Sequence, residues 1–280
     1  MASRIFQFFL FTSLFITGCA LLMVHQTNQL FSLQYSFHAY FGFVAASTLC
    51  SYNFHWWLTP ASPSENLRIR WTQQHKTLHL VLFFAGAFGS AWYFVQLLDH
   101  WEWLLIGAGL TFLYSAPKLP HRPFRWLQTI AIGKTIFLAF VWTYVTSFLP
   151  VALDGAHFTA PAWLFVGGRF FLIYAICIPF DYRDRDYDRQ EGIRSMITWF
   201  SEQGINRLFY GSIILFAACT LAMAAYGFSW PVLLLLLLPG GLTALLFPRA
   251  KKDFSDYLYY FALDGLMALS ALLTTLLRIL

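Results

Sequence analysis

Charge is scarce in this sequence. Lys, Arg, Asp and Glu make up 11% of the 280 residues, against about 25% in ordinary soluble domains, whereas 59% are hydrophobic. A composition this apolar excludes an ordinary soluble domain and indicates a membrane protein. Alternation of polar and apolar residues with a period of two is also lacking, which argues against an outer-membrane β-barrel.

Cysteines are few as well. The four, Cys19, Cys50, Cys177 and Cys219, lie in apolar segments and lack the spacing of metal ligands. They therefore indicate neither a disulfide framework nor a zinc site. No soluble domain or low-complexity tract interrupts the apolar segments, so we expect residues 1–280 to form a single transmembrane domain.

Long hydrophobic segments account for most of the chain. A helix needs about 20 apolar residues to cross the ~30 Å hydrocarbon core of a membrane. Segments near that length occur at 5–25, 35–57, 77–97, 101–115, 128–150, 161–180, 208–227, 230–247 and 257–279. Because helices satisfy their own backbone hydrogen bonds in lipid, we predict an all-α polytopic membrane protein with about nine transmembrane helices. The fourth is short, and the eighth contains Pro239, Gly240 and Gly241 as a predicted break.

Lys and Arg occur on alternate connections. Fifteen of them lie before the first segment or in the connections after the second, fourth, sixth and eighth, and none lies in the other four connections. Positively charged loops stay in the cytoplasm. We therefore predict an integral, multi-pass protein with a cytoplasmic N-terminus, and we expect it in a bacterial inner membrane. The net charge of +5 reflects this topology and indicates no nucleic-acid partner.

One short stretch departs from the general scarcity of charge. Five acids and four arginines occur between Asp181 and Arg194, in the connection after the sixth segment. If the sixth helix continues into this stretch, Asp181, Asp184 and Asp188 share one helix face. Carboxylates so spaced can hold Mg²⁺ against a diphosphate, because this ion takes a few carboxylates, waters and phosphate oxygens. The alternative is a solvated run of i,i+4 ion pairs, each contributing about 0.3–0.5 kcal/mol.

The order of residues in this stretch resembles the second aspartate motif of the UbiA-type superfamily of intramembrane prenyltransferases. That motif is Asp-x-x-x-Asp followed by a basic residue, a Gly and Arg-Ser or Arg-Thr. The matching residues are Asp184, Asp188, Arg189, Gly192, Arg194 and Ser195. "LYSAPKLP" at 113–120 looks like the family's Tyr-Ser-x-x-Lys, with Tyr114, Ser115 and Lys118 in the matching positions. "FALDGLMALSALL" at 261–273 is similar to the family's last helix.

The resemblance implies a UbiA-like helical bundle and a Mg²⁺-dependent prenyltransferase, of a family that serves quinone biosynthesis among other pathways. It implies that Asp184 and Asp188 are catalytic and ligate Mg²⁺, with support from Asp181. It further implies that Lys118 is catalytic. The residues expected to bind the diphosphate are Arg194, Lys118, Arg189, Tyr114 and Asn53. The expected partners are a polyprenyl diphosphate, a hydrophobic acceptor that we expect to be aromatic, and membrane lipid.

The family's first aspartate motif is degenerate here. Its pattern, Asn-Asp-x-x-Asp-x-x-x-Asp, would fall at the end of the second segment, where Asn53 matches but Phe54, Trp57 and Ala61 stand in place of the aspartates. Losing one electrostatic partner in an active site costs about 3–4 kcal/mol. Nearby cations, Arg68 among them, are candidates for partial compensation. The alternative function is therefore a catalytically impaired UbiA-fold membrane protein that binds an isoprenoid lipid or a partner.

Two ionisable residues lie well inside predicted spans. Arg169 is near the middle of the sixth span and Asp264 is near the start of the ninth, and a charge at the centre of a span costs about 2.5–3.5 kcal/mol on insertion. They are expected either to neutralise one another or to bind a ligand. A transporter built around them is a third interpretation, for which helix breaks in corresponding places of two halves are expected.

Overall fold

The computed structural model describes residues 2–60, 66–115, 134–155, 158–190 and 196–279. These residues are mostly helical, and none of them forms a strand. The α-helices are α1 (Ala2–Phe11), α2 (Leu14–Phe31), α3 (Phe37–Leu58), α4 (Leu67–Gln74), α5 (Lys76–Val95), α6 (Trp101–Ser115), α7 (Lys134–Thr143), α8 (Leu149–Leu153), α9 (Ala160–Gln190), α10 (Met196–Trp199), α11 (Glu202–Ala222), α12 (Trp230–Ala250) and α13 (Asp264–Ile279). Two π-helical segments, Tyr144–Phe148 and Leu258–Leu263, connect α7 to α8 and precede α13.

Among the described residues, six helices are long and apolar enough to cross a membrane, or seven if α1 and α2, which meet at a bend of 57°, count as one span. The six are Lys76–Val95, Thr135–Leu153, Ala160–Asp186, Glu202–Tyr226, Trp230–Ala250 and Leu258–Arg278. The all-α part of the prediction is confirmed for the described residues, and these long apolar helices are consistent with a multi-pass membrane protein. α3 has 22 residues but carries several polar side chains, and the 15 residues of α6 are fewer than the ~20 that a crossing needs. A total of nine spans stays a prediction.

The bundle is built around α2 and α9. α2 packs against α3 and α13, and α9 packs against α7 and α11. One buried apolar cluster combines residues of all these helices, among them Met23, Tyr40, Ile173, Phe209 and Met267. Because side chains from α2 to α13 share this core, the ends of the helices are held in fixed positions relative to one another.

α9 is the helix that carries the charged stretch. Its 31 residues give a length of about 46 Å at 1.5 Å per residue, which is more than the ~30 Å hydrocarbon core. Ile173, Ile176 and Ile178 are fully buried, and the helix then continues past Pro179 to Gln190. The charged stretch therefore begins as a helical extension of the sixth span, which is the condition under which its aspartates share one helix face.

The break predicted in the eighth span is not formed. α12 is continuous from Trp230 to Ala250, through the Pro-Gly-Gly sequence. A Cβ atom on Gly240 would lie 2.3 Å from the ring of Phe216, so the glycine allows close packing of α12 on α11. The sequence signal for a break, which supported a transporter, is here a packing contact.

Candidate functional site

The charged end of α9 presents two faces to different neighbours. On one face, Arg183 donates from Nε to Asp184 Oδ1 at 3.2 Å and from Nη2 to the hydroxyl of Tyr260 at 3.0 Å. On the other face, Arg185 pairs with Glu202, at the start of α11, at 2.9 Å. The first face therefore lies against the π-helical segment that precedes α13, and the second lies against α11.

Arg68, at the start of α4, is buried beside the first face. Its side chain packs with the guanidinium carbon 4.1 Å from the centre of the Trp56 ring and 4.2 Å from that of Tyr260. The side chain of Asn66 caps α4 by accepting the amide of Arg68, which sets the direction of the helix. Arg68 is consequently only 3% exposed, and two aromatic faces replace the water that such a cation would otherwise require.

Asp256 lies between the two arginines. Its Oδ2 accepts the backbone N–H of Arg68 at 2.8 Å, and its Oδ1 lies 4.0 Å from Nη1 of Arg183. Neither Arg183 Nη1 nor Asp256 Oδ1 has a hydrogen-bond partner among the residues that the structure describes. We call Arg68, Arg183, Asp184, Asp256 and Tyr260 the arginine–aspartate cluster.

Burial dominates the electrostatics of this cluster. It raises the pKa of Asp256 above the usual carboxyl value, although the Arg68 amide and the guanidinium groups of Arg183 and Arg68 act in the opposite direction. It likewise lowers the pKa of Arg68, despite the opposing effects of Tyr260 and the nearby carboxylates. In both residues the cost of leaving water exceeds the gain from pairing, which is the usual balance for buried ions.

A polar region extends from the cluster into the bundle. Asp264, the first residue of α13, is partly exposed and interacts electrostatically with Arg68 and Arg183. The hydroxyl of Tyr52 on α3 and the thiol of Cys177 on α9 lie within electrostatic range of Asp264. An acid, two cations and a phenol thus lie within electrostatic range of one another where α3, α4, α9 and α13 meet.

The aspartates predicted to bind Mg²⁺ differ in accessibility. The Asp184 side chain is 42% exposed, whereas Asp181 is 6% exposed. Asp188 follows Asp184 by one turn of α9, and its side chain lies outside the described part. An accessible carboxylate with a second one turn later suits Mg²⁺, which commonly takes one or two carboxylates together with phosphate oxygens. Within the described ranges, no group of three His, Cys, Asp or Glu side chains forms a complete metal site.

The residues predicted to bind the diphosphate are only partly brought together. Arg189 is exposed and donates to the carbonyl of Thr198 at 3.4 Å, away from the cluster. Tyr114 lies closer, because its ring stacks on His55 at 5.4 Å and His55 precedes Trp56 on α3. Lys118 and Arg194 lie outside the described residues, and their predicted roles stay predictions.

Asn53 is fully buried rather than presented to the polar region. Its Nδ2 donates to the carbonyls of Thr12 at 3.1 Å and Leu49 at 2.8 Å, and its Oδ1 lies 2.7 Å from Nδ1 of His79. The Thr12 carbonyl is at the bend between α1 and α2, where the regular helical pattern of hydrogen bonds is interrupted. Asn53 therefore joins α1, α3 and α5, and contact with a diphosphate would require these bonds to break.

Aromatic rings are packed at two of the three positions, Phe54 and Trp57, where the resemblance would call for aspartates. Phe54 stacks on Trp57 at 6.4 Å and on Phe83 of α5 at 5.0 Å. Ala61 lies outside the described residues. The end of α3 thus carries an apolar contact with α5 at the place where the family motif would supply metal ligands.

Arg169 and Asp264 do not neutralise one another. Arg169 donates to the carbonyl of Met267 at 3.0 Å and to the side-chain oxygen of Gln26, and Gln26 donates to Thr274 at 3.0 Å. Asp264 lies instead within range of the arginines of the cluster. The expected pairing was therefore wrong, because Arg169 finds neutral oxygen acceptors closer at hand.

Sequence reasoning did not identify three residues of the cluster as part of a site. In the sequence, Arg183 served only as one of the positive charges that indicate membrane orientation, and neither Asp256 nor Tyr260 was assigned a role. The last two are spaced i, i+4 across the start of the ninth span, with Asp256 just before it and Tyr260 in its first turn, so a helix there would place them on one face. An acid and a tyrosine on one face, at the same predicted membrane surface as the charged stretch, were the available signal.

The cluster combines two fixed cations, an accessible carboxylate and aromatic rings, a set suited to an anion held together with a divalent metal. It lies at one end of the helical bundle, where α4, α9 and the π-helical segment before α13 meet. In comparisons with known proteins, no family model, no curated protein and no solved structure matches the chain.

Proposed function

We propose that the protein is a Mg²⁺-dependent membrane prenyltransferase of the UbiA type. It moves an isoprenyl group from an allylic diphosphate to a membrane-accessible acceptor, which we expect to be aromatic. The proposal includes a nine-helix UbiA-like bundle and an N-terminus on the cytoplasmic side of a bacterial inner membrane. One observation carries it: Arg183 and Asp184 from α9, Arg68 from α4 and Asp264 from α13 converge at one end of an apolar bundle.

In this proposal, Asp184 and Asp188, supported by Asp181, would hold a divalent ion, which would supply Lewis-acid stabilisation of the negative charge on the diphosphate. Lys118 and Arg194 contact the diphosphate oxygens, and Arg189 joins them by giving up its bond to the Thr198 carbonyl. The bond between the allylic carbon and the diphosphate oxygen breaks with its electron pair on the diphosphate. The allylic carbon then bonds to the acceptor, which releases a proton.

Aromatic side chains near the cluster suit the allylic cation that such a reaction develops. Trp56, Tyr52 and Tyr114 lie on α3 and at the end of α6, next to the polar region. Their ring faces can attract a cation without supplying a nucleophile as reactive as water. We therefore propose that these rings line the path of the isoprenyl chain.

A second candidate function is a catalytically impaired relative that binds an isoprenoid lipid or a partner protein. The observation that favours it is the stack of Phe54, Trp57 and Phe83 at the place of the first aspartate motif. The second metal ion of the family would have no ligands there. The loss of one such electrostatic contribution lowers a rate by about 10²–10³.

The decisive experiment measures diphosphate release from geranyl and longer allylic diphosphates by the purified protein, with and without Mg²⁺. The variant to compare is Asp184→Asn with Asp188→Asn. The matched control is Asp186→Asn, because Asp186 is exposed on the same helix. We expect Mg²⁺-dependent release by the wild type and the control, and a decrease of about 100-fold or more in the double variant.

Other outcomes separate the two candidates. Binding of the allylic diphosphate that needs Mg²⁺ and both aspartates, without release, would support the impaired relative. Release that is the same in the double variant would contradict the assigned metal ligands. Neither binding nor release would contradict both candidates and would leave the charged stretch as a solvated run of ion pairs.

A further inference from the structure

Arg183 has three polar neighbours, Asp184, Tyr260 and Asp256, and it forms hydrogen bonds with only the first two. It donates to Asp184 Oδ1 at 3.2 Å and to the Tyr260 hydroxyl at 3.0 Å. Its third contact, from Nη1 to Asp256 Oδ1, is 4.0 Å long, which is too long for a hydrogen bond. Both atoms of this third contact are buried and have no other partner among the described residues. One charged donor and one charged acceptor thus face each other without a bond.

A small rotation of the Arg183 guanidinium would close this gap. Buried charged groups without hydrogen bonds are unfavourable, so a bond between Arg183 Nη1 and Asp256 Oδ1 would be favourable once the contact with Asp184 is given up. The ring of Tyr259 lies 4.6 Å from the guanidinium carbon and provides a flat surface along which the group can move. Arg183 therefore has two alternative carboxylate partners: it donates a hydrogen bond to Asp184 and only lies near Asp256.

Accessibility distinguishes these two partners. The Asp184 side chain is 42% exposed, whereas the side chains of Arg183 and Asp256 are 11% and 5% exposed. An ion from solution can reach Asp184 without displacing the arginine from the interior. A fixed guanidinium on the same carboxylate opposes that ion, because like charges a few ångströms apart repel.

We infer that Arg183 is a positioning residue that competes with a divalent cation for Asp184 and moves onto Asp256 when the cation binds. This inference rests on the proposed function and concerns its metal-binding step. Arg183 holds Asp184 in place while no cation is present, and Asp256 receives the displaced guanidinium. The charged groups around Arg183 are Asp184, Asp256, Asp264 and Arg68, so the rearrangement stays within the cluster.

The experiment measures Mn²⁺ binding to the full-length protein in detergent, from the electron paramagnetic resonance signal of the free ion. Mn²⁺ replaces Mg²⁺ as a hard divalent probe that prefers oxygen ligands. Asp184→Asn identifies the binding that belongs to this site. We expect Arg183→Met to tighten that binding about tenfold, because a competing charge is removed.

The opposite change is expected for Asp256→Asn. Arg183 then has a weaker alternative partner and stays on Asp184, so Mn²⁺ binding weakens about fivefold. The asparagine can still accept the Arg68 amide, which preserves the local fold. Combining Arg183→Met with Asp256→Asn should give the affinity of Arg183→Met alone, because Asp256 acts through Arg183.

Two matched variants serve as controls. Arg185→Met removes an arginine from the other face of α9, where it pairs with Glu202. Asp253→Asn removes an acid that pairs with Arg249 in the same connection as Asp256. Both should leave Mn²⁺ binding within about twofold of the wild type, since each of these charges already pairs with a residue outside the arginine–aspartate cluster.

The directions in which the two variants change the affinity for Mn²⁺ decide the inference. Weaker Mn²⁺ binding in Arg183→Met, or unchanged binding in Asp256→Asn, would overturn it and leave the proposed prenyl transfer untouched. Absence of any Asp184-dependent binding would overturn both the inference and the metal-binding step of the proposed function. If Mn²⁺ binding tightens in Arg183→Met and weakens in Asp256→Asn but the wild type releases no diphosphate, the inference is supported and catalysis is contradicted.

Discussion

The guanidinium of Arg68 lies 4.1 Å from the ring of Trp56 and joins α4 to the end of α3. Trp56 directly precedes Trp57, which stands where the proposed resemblance would call for an aspartate. A fixed cation therefore lies beside the segment where the family motif would hold a metal ion. Because Arg68 is also stacked on Tyr260 and connected to Asp256, its first effect is to hold the end of the bundle together.

Replacing Arg68 by Lys should destabilise the protein while keeping the charge. Lysine lacks the planar group that stacks on two rings, and its ammonium is more strongly hydrated than a guanidinium. We expect a loss of about 1–2 kcal/mol in the free energy of unfolding, measured as a lower midpoint of thermal unfolding in detergent. Arg70→Lys is the control, because Arg70 is exposed on the same helix. Equal midpoints for the two variants would contradict a stacking role.

The pH dependence of stability should report the burial of Asp256. Its raised pKa means that the folded state retains a proton that the unfolded state releases. The contribution of Asp256 to stability is therefore present at low pH and is lost as the pH rises through the raised pKa. Asp256→Asn, which does not titrate, should gain stability relative to the wild type between pH 4 and 7.

This prediction is checked by thermal unfolding at several pH values. Asp253→Asn is the control, since Asp253 is a half-exposed acid in the same connection and pairs with Arg249. A difference between Asp256→Asn and wild type that stays constant across the range would contradict it. A difference that shrinks as the pH rises would indicate that pairing with the arginines outweighs burial.

Replacing Asn53 should lower the stability of the protein, because its side chain is committed to buried hydrogen bonds rather than to a ligand. Asn53→Ala removes two donated bonds and leaves the Nδ1 atom of buried His79 without its partner. Each buried polar group left unpaired costs about 1–3 kcal/mol. Ser51→Ala is the control, because the Ser51 hydroxyl bonds only weakly to Thr48 of its own helix, at 3.2 Å. Loss of activity with an unchanged unfolding midpoint would instead support the predicted diphosphate contact.

Local features of this chain were predictable from the sequence. The helical extension of α9 through Asp181 and Asp184 followed from residue spacing on one helix. The contact between charged connections at one end of the bundle agrees with the alternation of Lys and Arg along the chain. Both features depend on residues that are close together in sequence, and periodicity describes such features well.

The partners of the charged residues could not be predicted in the same way. The bond from Arg68 to Asp256 spans 188 positions of sequence, and Asn53 contacts the chain at a bend that hydropathy does not reveal. The expected pair of Arg169 and Asp264 failed for the same reason, since the choice among acceptors depends on packing. Spacing within a helix predicts which residues share a face, but it does not predict which other helix packs against that face.

Gly86 should be intolerant of substitution because of a close helix contact. A Cβ atom there would lie 2.6 Å from the amide nitrogen of Cys50 and 2.7 Å from the carbonyl of Ala46. These are backbone atoms of α3, so α5 would have to move away. We expect Gly86→Ala to destabilise the protein by about 1–3 kcal/mol. Gly241→Ala is the matched control, because nothing lies within 4 Å of its Cβ position, and it should be neutral or slightly stabilising.

Gln26 should be essential for stability because its side-chain oxygen accepts a hydrogen bond from Arg169, a buried arginine of α9. Gln26→Leu removes a side-chain acceptor of Arg169 and leaves this cation with the carbonyl of Met267. Removing one partner of a buried charge costs about 3–5 kcal/mol, whereas replacing the whole polar group by apolar side chains is often neutral. We therefore expect a large decrease of the unfolding midpoint in Gln26→Leu and substantial recovery when Arg169→Leu is added. The control is Gln29→Leu on the same helix, whose side chain accepts only a bond of 3.4 Å from Thr275. A double variant less stable than Gln26→Leu alone would mean that Arg169 stabilises the bundle through contacts other than this one.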